Sequence, residues 1–394
     1  MSSKKPLHGY TVIDFSAVFA GPICTRMLLD CGADVIKIEA PGAGDYVRGV
    51  EGLTRVFAHF NAGKRCIAID LKNPEGQQLA RRLIATADVV IENFRPGIMA
   101  KFGLDYASLK LDRPDLVYCS ISGFGQSGPQ VNRAAYAPIV HAASGFDSVH
   151  TRAQTGANEQ ASQRPPNWEI MIADILTGTY AFGAIQTALL GRERHGSGDY
   201  IDVSMMESMM SLIPAHIQRA QASEPVAIGR FCPVKTSDGY VMICIVSDKT
   251  MENLCAAIER PDLLQDPRFI RGPRTTNLKL LAAEIELWSA TRTANECEVA
   301  LNQSEVPCSA YQQPEDLFDH PQVLERGSFT NVSDNRLGDF LIQNLPFKLR
   351  NADITASGWV AKLGEHTDEV LGDRLGLTPT EIAVLRSARV IFSA

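Results

Sequence analysis

Short apolar runs separated by amphipathic stretches fill the first third of the chain, the pattern expected of strands buried on both faces and joined by helices. TVIDFS at 11–16 reads as a strand, Pro22 to Cys31 as a helix with proline in its first turn, and Ala33 to Ile38 as the next strand. The unit recurs with CIAIDL at 66–71, a helix from Pro74 to Ala85, ADVVIEN at 87–93, a helical or turn segment around Met99, and LVYCSISGFG at 116–125. This rhythm predicts an open α/β sheet whose ligands lie beyond the carboxyl ends of its strands.

Residues 130–168 break the pattern. They are polar and rich in turn formers, which predicts a loop. A long apolar helix follows from about Ile175 to Leu190, with Asp174 at its start. YIDV at 200–203 reads as a strand, and Ser204 with Glu207 three residues on fits a capping box for a helix from Met205. A second composition begins near 225. FCPVKTSDGYVMICIV reads as a hairpin turning at Ser237-Asp238-Gly239, followed by helices at 249–259 and 276–290. The prolines and acids of SEVPCSAYQQPEDLFDHPQVLERG suggest a return linker, and two helices end the chain, the second capped by Thr378 with Glu381.

At 394 residues and 45% hydrophobic content, the chain buries a full core and is expected to form two domains. A formal net charge of -7 argues against a nucleic-acid surface. Nine scattered cysteines without a CxxC suggest neither a zinc knuckle nor a disulfide framework, but buried thiols in a reducing cytosol. No apolar leader core precedes the first strand, and no uninterrupted 18-residue apolar stretch occurs. The expectation is a soluble cytoplasmic protein with no membrane partner.

Asp174 is the main candidate for chemistry, because an acid in so apolar a stretch either caps a helix or does covalent work. Both readings put it at a helix start, and placement does not separate them. The first β-α junction lacks G-x-G-x-x-G, and Pro22 has no N–H for a phosphate, which weighs against a dinucleotide despite Gly21 and Glu39. Asn93, Phe94, Arg95, Pro96 and Gly97 combine amide, aromatic surface, cation and turn at a strand end. That set suits a nucleotide-containing ligand; the plain alternative is a surface loop. Gly123, Gly125 and Gly128 allow close backbone approach. His141 and His366 read as structural hydrogen-bonding residues in preference to acid-base groups. Neither G-x-S-x-G nor H-E-x-x-H occurs, so hydrolase and metalloprotease readings lose their support.

VIDFSAVFAGPICTRMLLDCGADVIKIEAPGAGD, CIAIDLKNPEG, ADVVIENFRPGIMAKFGLDY, SGFGQSGP, PPNWEIMIADILTGTYAFGAIQTALL, GSGDYIDVSMMESM and GEHTDEVL, in this order, closely resemble the class III CoA-transferase family, which also contains α-methylacyl-CoA racemases. The resemblance implies a Rossmann-like large domain and a smaller α+β domain, in an interlocked homodimer. With the composition breaks, it divides the chain into 1–210 (large domain, N-terminal part), 211–230 (linker), 231–320 (small domain) and 321–394 (return linker and C-terminal part of the large domain). It also implies that Asp174 is the catalytic acid, and that Ile69, Lys72, Asn93 and Phe94 hold coenzyme A, with Met205 near the cofactor or acyl channel.

Departures from the pattern redirect some roles. Where formyl-CoA transferases carry a basic residue after IKIE and a lysine before the tyrosine of the next loop, Ala40 and Ala134 stand here. Arg48, Arg95 and Lys101 are candidates to compensate at the phosphates. Phe19 replaces a glutamine of those enzymes, which weighs against oxalate and formate, and places Phe19 with Arg48 and Tyr136 as substrate-side candidates. Tyr136 stands where the racemase branch has its histidine base, and a phenol of pKa near 10 is a poor base at neutral pH. Transfer is therefore favoured over racemisation.

The implied activity moves CoA from an acyl-CoA donor to a small carboxylic acid, dicarboxylates such as succinate, malate, citramalate or mesaconate among them. The implied route is an aspartyl anhydride followed by an aspartyl-CoA thioester, with CoA as substrate, no tightly bound cofactor and no metal. The alternatives are an acyl-CoA racemase or epimerase and a non-catalytic CoA-binding protein.

Overall fold

The structure is a computed structural model that describes residues 5–155, 165, 169–222 and 231–393. Two compact units are present, one of residues 1–217 and 325–394, the other of 218–324. In the first, β1 (Thr11–Asp14), α1 (Ala20–Asp30) and β2 (Asp34–Glu39) open the chain, followed by α2 (Thr54–Asn61), β3 (Arg65–Ile69), α3 (Pro74–Ile84) and β4 (Val89–Glu92). Then come two single-turn helices, α4 (Ile98–Lys101) and α5 (Tyr106–Leu109), and β5 (Val117–Ser122). After α6 (Ala137–Ala143) and α7 (Phe146–Thr155), the long α8 (Ile172–His195) leads to β6 (Tyr200–Ser204), α9 (Met205–Met210) and α10 (Pro214–Ala220).

The sheet runs β3-β2-β1-β4-β5-β6, all parallel. This is the doubly wound order, and it puts the switch point between β1 and β4, where ligands of such folds bind. One face packs α1 and α8 through Cys24, Leu28, Ala181, Ile185 and Leu189 onto Val35, Val89, Val117 and Cys119. The other buries Leu79, Leu83, Val370 and Ile382 on Ile36, Ile67 and Val90. Full burial of each such aliphatic side chain contributes about 1.5–3 kcal/mol.

In the second unit, β7 (Pro233–Lys235) and β8 (Tyr240–Ile243) form the antiparallel hairpin expected around Ser237–Gly239. With them are α11 (Asp248–Ala257), α12 (Pro273–Thr276), α13 (Leu278–Ser289), α14 (Ala294–Gln303), β9 (Cys308–Ala310) and α15 (Pro321–Glu325). Apolar residues of α11, α13 and α14 close a core over the strands. The chain then returns to the first unit with an antiparallel pair, β10 (Phe329–Asp334) and β11 (Gly338–Gln343), followed by α16 (Thr367–Leu375), α17 (Pro379–Ser387) and β12 (Ile391–Phe392). β12 pairs antiparallel with β3, so the last residues complete the sheet edge. The Thr378–Glu381 capping box forms in full, and Ser204 Oγ accepts the Glu207 N–H.

Two expectations fail. Residues 130–168 are not one loop: α6 and α7 lie inside them, while 156–164 and 166–168 fall outside the described residues. Ala137 and Val140 become helical because they are buried against Ala173, Met205 and Met209, a tertiary gain that local polarity hides. The stretch read as a return linker holds β9, whose residues pair with β8. Among the described residues, no helix is long and apolar enough to cross a membrane, and no group of three or more His, Cys, Asp or Glu stands ready to hold a metal ion.

Candidate active site

The loop from β1 into α1, Ser16 to Phe19, is fixed residue by residue from below. Asp14, fully buried at the end of β1, accepts hydrogen bonds from Ser16 N–H (2.9 Å) and Thr25 Oγ1 (2.6 Å) and pairs with Lys64 at 3.1 Å. Lys64 also donates to Pro22 O and Asn61 Oδ1. Beside it, buried Lys37 donates to Ser16 O at 2.6 Å and pairs with Asp45 at 3.0 Å. Burial pushes Asp14 towards the neutral acid, but Lys64 and Lys37 with the Ser16 and Thr25 hydroxyls outweigh it and hold the carboxyl below its usual range. Lys37 is likewise disfavoured as a cation by burial, yet Asp45, Asp14 and Glu39 keep it charged.

Across the switch point, the Asn93 carboxamide brackets Ala17. Its oxygen accepts Ala17 N–H at 2.9 Å and its nitrogen donates to Ala17 O at 2.8 Å. Val18 follows with φ of 68°, a left-handed backbone that a β-branched residue adopts at a cost of about 1–3 kcal/mol. Its N–H is held by both Asp45 oxygens, at 3.1 and 3.2 Å. Two residues later α1 begins.

Asp174 meets that beginning. It lies in the first turn of α8, whose N-cap is Met171, so the acid is not the cap. The capping work goes elsewhere: Ala173 N–H donates to Nε2 of buried His141 at 3.1 Å. Burial lowers the affinity of His141 for a second proton, partly countered by Asp147, which preserves the acceptor nitrogen. The backbone N–H groups of Ala20, at the N-terminus of α1, and of Asp174 itself favour the ionised carboxylate. Burial outweighs these and pushes the carboxyl up to about 6. At neutral pH it is therefore an anion poorly solvated by water, the condition of a nucleophile.

Gly178, one turn after Asp174, permits this approach. A Cβ there would sit 2.5 Å from Ala20 O and 3.0 Å from Ile23 Cβ. Gly178→Ala is expected to push α1 off α8, lowering stability by about 1–3 kcal/mol and reducing kcat with it. Thermal unfolding and steady-state rates on the same preparation check this.

A cavity of about 260 Å3 opens beside the Ser16–Ala17 loop, at the carboxyl ends of β1, β2 and β3. Ile69, Lys72 and Phe94 line it with Phe15, Ile38, Leu71 and Phe102. Three of the expected CoA contacts thus converge, while Asn93 stands beside them with its side chain engaged on Ala17. Lys72, Arg95 and Lys101 are exposed cations on or next to lining residues. Met205 is buried against the start of α8 in the cluster with Ala173. Phe19 packs edge-on to Phe60 at 5.6 Å.

The remaining substrate-side candidates, Arg48 and Tyr136, are not among the residues that line this cavity. All three guanidinium nitrogens of Arg48 are engaged, on both Glu39 oxygens (2.7 Å each) and on Ala361 O (2.9 Å), and the group stacks 4.0 Å over Phe57. That commits three of the five Arg48 N–H donors to the fold. Tyr136 is 71% exposed ahead of α6. Sequence reasoning missed Lys37, Asp45, Ala20 and Gly178. A lysine between isoleucines in VIKIE was the one legible signal, since a charge inside a buried strand requires a partner.

The pattern of CoA-transferase family III matches residues 7–367. The chain is 33% identical to the succinate–glutarate CoA-transferase of Agrobacterium fabrum, over 94% of this chain and 96% of that one. It is 33% identical to the succinyl-CoA–D-citramalate CoA-transferase of Chloroflexus aurantiacus, over 99% of this chain and 100% of that one. Among solved structures, the hypothetical protein Rv3272 of Mycobacterium tuberculosis is similar with a TM-score of 0.82 at 30% identity, over 94% of this chain and 99% of that one.

Proposed function

We propose, from the premise that this chain belongs to CoA-transferase family III and is an enzyme of that class, that it moves CoA between a dicarboxylyl-CoA thioester and a second small dicarboxylic acid, with Asp174 as nucleophile and temporary carrier. The observation that carries this reading is the half-buried Asp174 carboxylate in the first turn of α8, where Gly178 lets α1 approach closely, with a cavity lined by Ile69, Lys72 and Phe94 beside the Ser16–Ala17 loop that leads into α1. The names of the relatives, whose substrates include succinate, glutarate and D-citramalate, support the choice of acids.

In the cycle, an Asp174 oxygen attacks the donor thioester carbonyl and expels CoA thiolate, leaving a mixed anhydride. The thiolate attacks the aspartyl carbonyl and releases the donor acid, leaving an aspartyl-CoA thioester. The acceptor carboxylate attacks that thioester to give a second anhydride, and the returning thiolate takes the new acyl group and frees Asp174. The N-terminus of α1, at Ala20, would favour negative charge that develops on the aspartyl oxygen. Ile69, Phe94 and Phe102 would grip the nucleotide end of CoA, with Lys72, Arg95 and Lys101 as the cations for its phosphates; Arg48 is left out because its guanidinium is buried on Glu39 and Phe57. Met205 and Phe19 would wall the acyl side. The outward face of α8 carries Ile175 and Tyr180 nearly half exposed, which supports an interlocked homodimer, to be tested by sedimentation equilibrium.

The deciding experiment is a mass-resolved screen of acyl-CoA donors against mono- and dicarboxylic acids. Exchange confined to monocarboxylates would reject the substrate class. Deuterium uptake at the α-carbon without an acceptor would point to the racemase alternative. Because the nucleophile is the anion, kcat/KM is expected to halve near pH 6 and fall about tenfold per unit below it, as protons fill a carboxyl raised to about 6. A profile still flat at pH 4.5 would contradict it.

A further inference from the structure

A second cavity, of about 780 Å3, shares a wall with the one at the carboxyl ends of β1, β2 and β3. Glu39, Gly44 and Asp45 line the first, whereas Gly42, Tyr46 and Arg48 line the second, so the chain between 39 and 49 separates the two. The partition is thin. A Cβ on Gly44 would sit 2.8 Å from Glu39 Oε2, 3.0 Å from Leu363 Cδ1 and 3.3 Å from Arg48 Cδ, and Leu363 and Arg48 both line the second cavity. The turn between β10 and β11 and the stretch from Trp359 to Glu365 close its other sides.

The lining combines exposed aromatic surface with free donors. Tyr46 is 70% and Trp359 42% exposed. Neither the Arg336 guanidinium nor the Lys362 ammonium has a hydrogen-bond or ion-pair partner among the described residues. The acids of the lining turn to backbone instead: Asp334 Oδ1 accepts the N–H groups of Arg336 and Leu337 at 2.8 and 2.9 Å, and Glu365 Oε2 accepts that of Lys362 at 2.6 Å. Arg48, its side chain nine-tenths buried, adds the two N–H donors that Glu39 and Ala361 leave uncommitted. Cations and aromatic rings around one cavity of this size suit a phosphorylated planar base. A dicarboxylate would use the cations and leave the rings in water.

We propose that this second cavity binds a nucleotide, its base against Tyr46 and Trp359 and its phosphates on Arg336, Lys362 and the remaining donors of Arg48. Arg48 couples the site to its neighbour. Its Nε and Nη2 hold both oxygens of Glu39 at 2.7 Å, and Glu39 Oε2 also accepts Asp45 N–H at 2.9 Å, in the wall of the first cavity. A phosphate on Arg48 shares that cation with Glu39, which leaves the carboxylate less neutralised beside a cavity assigned to a polyanion. Nucleotide and CoA therefore oppose each other, by the same factor in both directions. The coupling rests on the first cavity being the CoA site; the binding does not.

The probe is ADP, titrated by calorimetry into the full chain at fixed salt, with adenosine and inorganic phosphate as partial ligands and tryptophan fluorescence as a second signal. ADP is expected to bind once per chain, and to bind still after one equivalent of CoA, with about fivefold lower affinity. Arg336→Ala/Lys362→Ala removes two exposed cations that take no part in the proposed chemistry. It is expected to lose about 30-fold in ADP affinity, and nothing in Tm or in CoA affinity measured without ADP. Trp359→Leu is expected to lose about tenfold, and the fluorescence change with it. CoA stoichiometry identifies the source: one per chain leaves the second site to a free nucleotide, and two per chain means that the ADP end of CoA itself enters it. ADP displaced completely by one bound equivalent of CoA, an unchanged affinity in the double variant, or ADP that binds no better than phosphate overturns the proposal. So does wild-type protein that takes up no ADP, the result expected if a second copy of the chain covers this face. Protein that binds ADP with the expected loss in the double variant, yet binds no CoA, sinks the proposed function and the coupling and leaves the second site standing.

Discussion

Asp174→Ala is expected to lower CoA exchange by about 10,000-fold or more, since removing a nucleophile abolishes the covalent route and leaves only what binding contributes. CoA binding, followed by calorimetry, is expected to persist, because the cavity is lined by other residues. Hydroxylamine with donor thioester should label Asp174 in the wild type and nothing at that position in the variant. Stability moves the opposite way. The folded protein raises this carboxyl from 3.8 to about 6, so its ionised form is less well accommodated folded than unfolded. The penalty is absent below about pH 4, grows as pH rises to 6 and is complete above it. Asp174→Asn should therefore gain about 2 kcal/mol at pH 7.5, allowing for partial exposure, and nothing at pH 3.5. An active Asp174→Ala enzyme, or a gain that increases on acidification, would remove the basis for assigning the nucleophile here.

The second large effect is on folding. Asp14→Ala leaves Lys64 and Lys37 buried with one carboxylate fewer and strips Ser16 N–H and Thr25 of their acceptor. Breaking a buried pair from one side costs about 3–5 kcal/mol, read here as a lower denaturation midpoint at unchanged slope. Adding Lys64→Met is expected to recover part of the loss, because the uncompensated charge goes with it. A midpoint that Asp14→Ala leaves in place would mean that these ions are solvated in the folded state.

These two residues were unequally visible beforehand. Asp174 stood out because nothing near it in sequence can pair with its charge. Asp14 sits in VIDFS as an acid at a strand end, where a cap, a turn or solvent would serve equally well, and its partner Lys64 is far along the chain. Arg48 shows the converse: a cation with no evident partner in the sequence, it meets Glu39 once β2 and the following turn fold together. Cations are read as free whenever their partner comes from another element.

Local pattern alone determined the alternation of strands and helices, the hairpin of the second unit and the terminal capping box, because each depends on neighbours within a few residues. The strand order, α6 and α7 within a polar stretch, the Lys37–Asp45 hold on a strained Val18, and the meeting of Asp174 with the start of α1 were decided by the tertiary structure. Each of these is a contact between residues distant in the chain, and the energy that stabilises it appears only when both partners leave water together.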